Sequence, residues 1–125
     1  MKIKCIIIDD EPLAAEVIET HLKEFPNMEL LSKFTNPLEA LSIIETGEID
    51  VVFIDINMPK MNGLDATRLI REFAPHLVIV AQTAYSTFED RQNATRAGCD
   101  DFLEKPLNVE LLTKLIKASV EGSQN

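Results

Sequence analysis

Five polar side chains follow short apolar runs at widely separated points of the chain. They are Asp9, Asp10, Asp55, Thr83 and Lys105. Three carboxylates held close together repel one another, and one pair 4 Å apart costs roughly 4 kcal/mol at an effective dielectric constant of about 20. A fold that gathers them therefore needs a cation, and oxygen ligands favour Mg²⁺ or Ca²⁺, of which Mg²⁺ more often shares water and phosphate oxygens. A carboxylate can also act as a nucleophile and form an aspartyl phosphate, a reaction that needs positioned positive charge.

The apolar runs alternate with amphipathic stretches, which predicts five strands alternating with five helices. The predicted strands are 3–8, 28–34, 51–54 and 77–81, with a fifth centred on 102–103. This alternation predicts an α/β fold, a parallel sheet with helices on both faces. Because the carboxyl ends of parallel strands share one rim, where such folds place their sites, we expect the five polar side chains to meet there.

Apolar residues at helical spacing predict the inward faces of the helices. In chain order they are Leu13, Val17, Ile18, Leu22 and Phe25; Leu38, Leu41 and Ile44; Ala66, Leu69, Ile70 and Phe73; Phe88, Ala94 and Ala97; and Leu112, Leu115, Ile116 and Val120. Asn36, Thr87 and Asn108 are predicted N-caps. The fourth helix has few inward apolar residues, which predicts that it is loosely held, as switching elements are.

Length and composition predict one domain. The chain has 125 residues and a formal net charge of -9, so we expect a domain over 1–121 and a tail or linker over 122–125. The negative charge disfavours nucleic-acid binding. No apolar run approaches the roughly 20 residues that cross a bilayer, and Cys5 and Cys99 lack metal-binding spacing. We therefore expect a cytoplasmic protein with two free thiols and no membrane contact.

The ordered motifs resemble the response-regulator receiver domains of two-component signalling, the CheY-like family, over essentially the whole chain. The motifs are Asp9-Asp10, Asp55, Met58-Pro59, Gly63, Thr83-Ala84 and Lys105-Pro106. Each is weak alone, but together, in this order and at these strand ends, they are highly specific. The resemblance implies a doubly wound five-stranded parallel sheet of flavodoxin-like order 2-1-3-4-5.

The resemblance also implies a role for each matching residue. Asp55 would be the phosphoacceptor. The Mg²⁺ ligands would be Asp9 (through water), Asp10, Asp55 and the backbone carbonyl of Asn57. Thr83, Ala84 and Lys105 would contact the phosphoryl group, Thr83 and Phe102 would switch, and Lys105–Pro106 would be a cis peptide.

The implied function is that of a phosphoacceptor rather than a conventional enzyme. A histidine kinase or phosphotransfer protein would supply the phosphoryl group from phosphohistidine. The domain would assist its own phosphorylation and dephosphorylation. The surface formed by the fourth helix, fifth strand and fifth helix would then act on a downstream effector domain or protein, with a phosphorylation-dependent dimer as one option.

Three other functions compete with this interpretation. A phosphatase of the haloacid-dehalogenase type would need a second aspartate where Asn57 stands, and an amide cannot shuttle a proton. A flavin-binding module would need a phosphate-cradling loop where Asp9-Asp10-Glu11-Pro12 stands. A receiver without phosphorylation would lack some of the matching residues. The sequence does not decide which effector the domain controls. The opening Asp-Asp-Glu-Pro-Leu-Ala resembles the receivers of LytTR-type transcription regulators, whereas residues 97–102 resemble receivers attached to hybrid kinases.

Overall fold

A computed structural model describes residues 2–57, 63–83, 87–105 and 108–123. The strands are β1 (Ile3–Ile8), β2 (Met28–Phe34), β3 (Val51–Asp55), β4 (Val78–Thr83) and β5 (Asp101–Glu104). The helices are α1 (Pro12–Leu22), α2 (Pro37–Ile44), α3 (Gly63–Phe73), α4 (Phe88–Ala97) and α5 (Val109–Ser123). The predicted alternation of strands and helices is confirmed.

The strands form one parallel sheet in the order β2-β1-β3-β4-β5, as predicted. The central strand β3 is buried along its whole length, whereas the edge strand β2 is mostly half-buried. A strand buried on both faces needs the continuous apolar run that precedes Asp55, and an edge strand tolerates polar residues. Strand β4 begins one residue later than predicted and continues to Thr83, so this hydroxyl belongs to the strand itself.

Two apolar clusters fill the two sides of the sheet. One cluster joins β1, β3, β4 and β5 to α1 and α5 and includes Phe53, Val80, Leu103 and Leu112. We call this side of the sheet the α1/α5 face. The other cluster packs α2 and α3 against Ile6, Ile8, Val52, Ile54 and Ile79. Because side chains alternate along a strand, each buried strand supplies both clusters.

Five residues predicted to face inward are exposed instead. They are Leu13 (77% exposed), Val17 (41%), Leu38 (53%), Phe73 (50%) and Phe88 (76%). In α1 and α2 the buried positions include Ala15 and Ala40. These small side chains let the helices approach the sheet closely, and the rotation that buries them turns neighbouring large residues outward. The prediction for Leu112 and Ile116 of α5 is confirmed.

The predicted N-caps are confirmed. The Asn36 side chain accepts from Leu38 N–H, and that of Asn108 accepts from Glu110 N–H. Thr87 and Asp90 form a capping box at the start of α4, in which each side chain accepts from the other residue's N–H. These caps fix where α2, α4 and α5 begin.

Helix α4 is held mainly at its C-terminal end. It buries only Ala94 and Ala97 among the described residues. Beyond it, the Arg71 guanidinium donates to the Gly98 carbonyl and contacts the Asp100 carboxylate at 2.8 Å. Gly98 has φ 113°, a left-handed conformation that favours glycine. The start of α4 therefore has few apolar contacts.

Both cysteines are free, which agrees with the prediction of two thiols. Cys5 is fully buried in β1, and Cys99 is partly buried before β5. Burial raises the pKa of the Cys5 thiol to about 12, with added repulsion from Asp50. The pKa of the Cys99 thiol is also raised, chiefly by burial. Neither thiol is ionised near neutral pH, so neither has the character of a reactive cysteine.

Candidate phosphoryl-transfer site

Four acidic side chains converge at the carboxyl ends of β1 and β3. They belong to Asp9, Asp10, Glu11 and Asp55, and each contributes one carboxylate oxygen to a group whose members all lie within 4.8 Å of one another. Asp9 and Asp55 are buried, at 2% and 1% exposure. The predicted meeting of Asp9, Asp10 and Asp55 is confirmed. Glu11 was not among the predicted site residues, although its position beside Asp9-Asp10 was a usable signal.

The Lys105 ammonium lies among these carboxylates. Its Nζ is 3.2 Å from Asp9 Oδ2, 3.2 Å from Asp55 Oδ2 and 3.5 Å from Glu11 Oε1. The Lys105 backbone N–H donates to the Thr83 carbonyl at 2.7 Å, which fixes the base of the side chain beside β4. Lys105 thus reaches across the sheet from β5 and offsets part of the negative charge.

Local backbone geometry fixes the two buried carboxylates. Asp9 Oδ1 accepts from Glu11 N–H, and Asp55 Oδ1 accepts from Asn57 N–H, both at 2.8 Å. Each carboxylate therefore keeps its second oxygen for the cluster. Gly63 begins α3 directly against the backbone of Asp55 and Ile56, where an added Cβ would overlap both. Glycine is thus required for α3 to start this close to Asp55.

A hydrogen bond joins the side chains of Thr83 and Asn57. The Thr83 hydroxyl donates to Asn57 Oδ1 at 2.6 Å, and Thr83 is fully buried. Both residues are predicted site residues, but no sequence pattern predicts this bond. Phe102 is half-buried and packs against Ala81 and Ala94 beneath α4.

Some predicted site residues lie outside the described part of the chain. They are Met58, Pro59, Ala84 and Pro106. The predicted contact of Ala84 N–H and the predicted cis bond between Lys105 and Pro106 therefore stay predictions.

Burial dominates the electrostatics of Asp9. It raises the pKa of this carboxyl from 3.8 to about 6, against the hydrogen bond from Glu11 N–H and the charge of Lys105, while Asp55 adds repulsion. Burial alone would lower the pKa of the Lys105 ammonium, but the charges of Asp9 and Asp55 outweigh it and raise that pKa. Asp9 Oδ2 is buried and faces the Lys105 ammonium at 3.2 Å. This oxygen already faces a positive charge, so it is suited to a cation.

A scan of family models matches residues 5–117 to the response regulator receiver domain. The chain belongs to this family, and it is therefore a receiver domain of two-component signalling. Asp55 lies at the end of β3, as this family places its acceptor, whereas the phosphatase type has its nucleophile after the first strand. The flavin-binding alternative shares the strand order, but the acidic cluster after β1 would repel a phosphate.

Individual relatives agree with this classification. An uncharacterised response regulatory protein of Yersinia pestis is 39% identical over 115 residues, which are 91% of this chain and 47% of that protein. The receiver domain of AraT from Geobacillus stearothermophilus is 32% identical, with a TM-score of 0.85 and all of both chains covered. The beryllofluoride-activated receiver domain of DrrB is 25% identical, with a TM-score of 0.82 over 97% of this chain and 99% of that one. The chain spans about half or less of the length of the curated relatives it matches.

The raised pKa of Asp9 predicts a specific pH dependence of stability. Because the folded state binds this proton more tightly than the unfolded state, the stabilisation is fully present below pH 3.8 and is lost as pH rises through about 6. We expect the unfolding free energy of the metal-free protein, minus that of Asp9→Asn, to fall by about 1–2 kcal/mol between pH 4 and 7.

Urea denaturation of both proteins across this pH range, with a chelator present, measures the difference. Glu16→Gln, which removes a carboxylate from an exposed position of α1, is the control and should show no such change. A difference that rises with pH would show that Asp9 is stabilised in its ionised form.

Proposed function

We propose that the domain accepts a phosphoryl group on Asp55 in the presence of Mg²⁺. The observation that carries this proposal is the buried Asp55 carboxylate, with Lys105 Nζ 3.2 Å away and three further acidic side chains beside it. A lone buried carboxylate would be costly, and this one has both a positive neighbour and a cluster of oxygen donors.

The donor set fits Mg²⁺. All four side chains offer carboxylate oxygens, which hard cations prefer, and these oxygens lie within 4.8 Å of one another. Asp9, Asp10 and Asp55 would hold the ion, with the Asn57 carbonyl as a further ligand. The bound ion would neutralise charge on the phosphoryl oxygens. Glu11 lies close enough to contribute through water.

The chemistry asks little of the protein beyond charge and position. A carboxylate oxygen of Asp55 attacks the phosphorus of a phosphohistidine, an O–P bond forms, and the N–P bond breaks. The imidazole leaves with the bonding electron pair. Lys105 would bind one phosphoryl oxygen. The Thr83 hydroxyl would break its hydrogen bond with Asn57 and donate a hydrogen bond to another phosphoryl oxygen.

The phosphodonor would be a histidine kinase or a phosphotransfer protein. Leu13 and Val17 support this part of the proposal, because both are exposed on α1, which begins beside Glu11 of the acidic cluster. Exposed apolar side chains next to a polar site are typical of a docking surface. Leu13 and Val17, which were wrongly predicted to face inward, would thus offer the donor an apolar contact on the helix that follows the acidic cluster.

The response to phosphorylation would pass through Thr83 to α4 and β5. The Thr83 hydroxyl bonds to Asn57, so its capture by a phosphoryl group would break that bond. Phe102 packs under α4, and Arg91 lies over its ring at 5.3 Å while contacting Glu104 at 2.8 Å. Because α4 buries so little, a small rearrangement can shift it. The surface of α4, β5 and α5 would then act on an effector domain or protein.

Labelling with a small phosphodonor tests the acceptor. With Mg²⁺ and acetyl phosphate or phosphoramidate, the wild type should gain one phosphoryl group by intact mass, and Asp55→Asn should gain none. Asp65→Asn, which changes an exposed aspartate of α3, should label as the wild type does. Unchanged labelling of Asp55→Asn would place the acceptor elsewhere and contradict the proposal.

Hydrogen exchange tests the switch. Beryllofluoride with Mg²⁺ should change exchange across 87–105, while α2 changes little, because the proposed route runs through Thr83 and away from α2. Thr83→Ala should still label at Asp55 but lose most of the change in α4. A full response in Thr83→Ala would rule this route out.

A further inference from the structure

Strand β4 contains a buried polar side chain that the phosphoryl-transfer scheme leaves without a role. Gln82 is fully buried, and both its Oε1 and its Nε2 lack a hydrogen-bond partner among the residues that the structure describes. A buried amide left unpaired is costly, and such groups in folded proteins call for a specific explanation. Gln82 was not among the predicted site residues, although a glutamine at the end of an apolar strand was a visible signal.

The sheet register places Gln82 beside the phosphoacceptor. Gln82 pairs with Asp55 of β3 on one side and with Leu103 of β5 on the other. Two residues earlier, Phe53 and Val80 also pair, and both belong to the apolar cluster of the α1/α5 face. Because side chains alternate along a strand, Asp55 and Gln82 project from this same face.

The Lys105 side chain passes over the end of β4, where Gln82 lies. Lys105 follows β5, and its ammonium contacts Asp55 of β3, so the side chain has to cross β4, which lies between them. Leu103 belongs to the α1/α5 cluster, and Lys105 lies two residues beyond it, so the crossing runs over the end of β4 on the α1/α5 face. Gln82 is the β4 residue on that face in the row of Asp55. Its unpaired amide therefore lies next to the path of the only ammonium described in the site.

We propose that Gln82 is a positioning residue for phosphoryl transfer, whose amide hydrogen-bonds the Lys105 ammonium once a cation and a phosphoryl group occupy the site. The proposal rests on the proposed function. In the metal-free protein the three protons of the ammonium face three carboxylates, those of Asp9, Glu11 and Asp55. With a cation held by these carboxylates, Lys105 would be free to turn to the phosphoryl group and to donate one hydrogen bond to Gln82 Oε1.

The Gln82 amide should therefore have opposite effects in the metal-free protein and in the protein loaded with a cation and a phosphoryl group. In the metal-free protein the unpaired amide only destabilises the fold. In the loaded protein it holds the ammonium in place. A residue that merely filled the core would affect both states alike, so the two possibilities are separable by experiment.

Gln82→Met is the informative variant, because methionine keeps the length of the side chain and removes both polar atoms. We expect the metal-free variant to melt roughly 3 °C or more above the wild type. With Mg²⁺ present, its affinity for beryllofluoride, measured by fluorine NMR, should fall roughly tenfold or more, the effect of losing a hydrogen bond to a charged group. Gln92→Met makes the same change at an exposed position of α4 and should alter neither quantity.

A second measurement is made on the wild type and uses the variant only to assign a signal. The side-chain amide signal of Gln82, assigned by its absence in Gln82→Met, should shift when the wild type binds beryllofluoride. An unmoved amide signal, or a beryllofluoride affinity of Gln82→Met within twofold of the wild type, would overturn the role of Gln82 and leave the proposed function intact. A wild type that neither labels nor binds beryllofluoride would overturn both.

Discussion

The ammonium of Lys105 among the carboxylates of Asp9, Glu11 and Asp55 is the interaction on which the site depends. One positive charge faces three negative groups at 3.2–3.5 Å, and Asp10 adds a fourth within the same cluster. The cluster is therefore under-neutralised in the metal-free protein. Such an excess of negative charge is a cost to folding that a bound cation would remove. Hydrogen bonds from the backbone N–H groups of Glu11 and Asn57 hold Asp9 and Asp55 in place.

The scaffold produces this arrangement by simple means. Parallel strands bring residues that are distant in sequence to one rim, and the order β2-β1-β3-β4-β5 sets Asp55 between Asp9 and the strand that Lys105 crosses. Gly63 allows α3 to begin against the phosphoacceptor's own backbone. Deep burial keeps Asp9 and Asp55 rigid, and the raised pKa of Asp9 is the measurable sign of its cost. The preformed site at the carboxyl ends of the strands therefore lowers the stability of the fold.

Much of this could be predicted from the sequence, because strand ends and strong motifs are local signals. The run Val51–Ile54 followed by Asp55 predicts a buried strand and a site residue without any tertiary information. The rotation of a helix about its axis cannot be predicted from such local signals. Leu13 has a larger apolar side chain than Ala15, yet it is Ala15 that faces the sheet, because the small side chain permits closer packing. Side-chain bonds such as that from Thr83 to Asn57, and the isolation of Gln82, depend on distances that no sequence pattern encodes.

If the acidic cluster is a cation site that is strained when metal-free, removing the charge of Asp10 should relieve that strain. Lys105 forms ion pairs with the other three acids, whereas the described contacts include none between Lys105 and Asp10. Urea denaturation with chelator and with Mg²⁺ should show Asp10→Asn to be more stable than the wild type by about 1 kcal/mol when metal-free, and to gain little from Mg²⁺. Glu16→Gln should match the wild type in both conditions. A metal-free Asp10→Asn that is less stable than the wild type, or one that gains as much from Mg²⁺, would contradict the account.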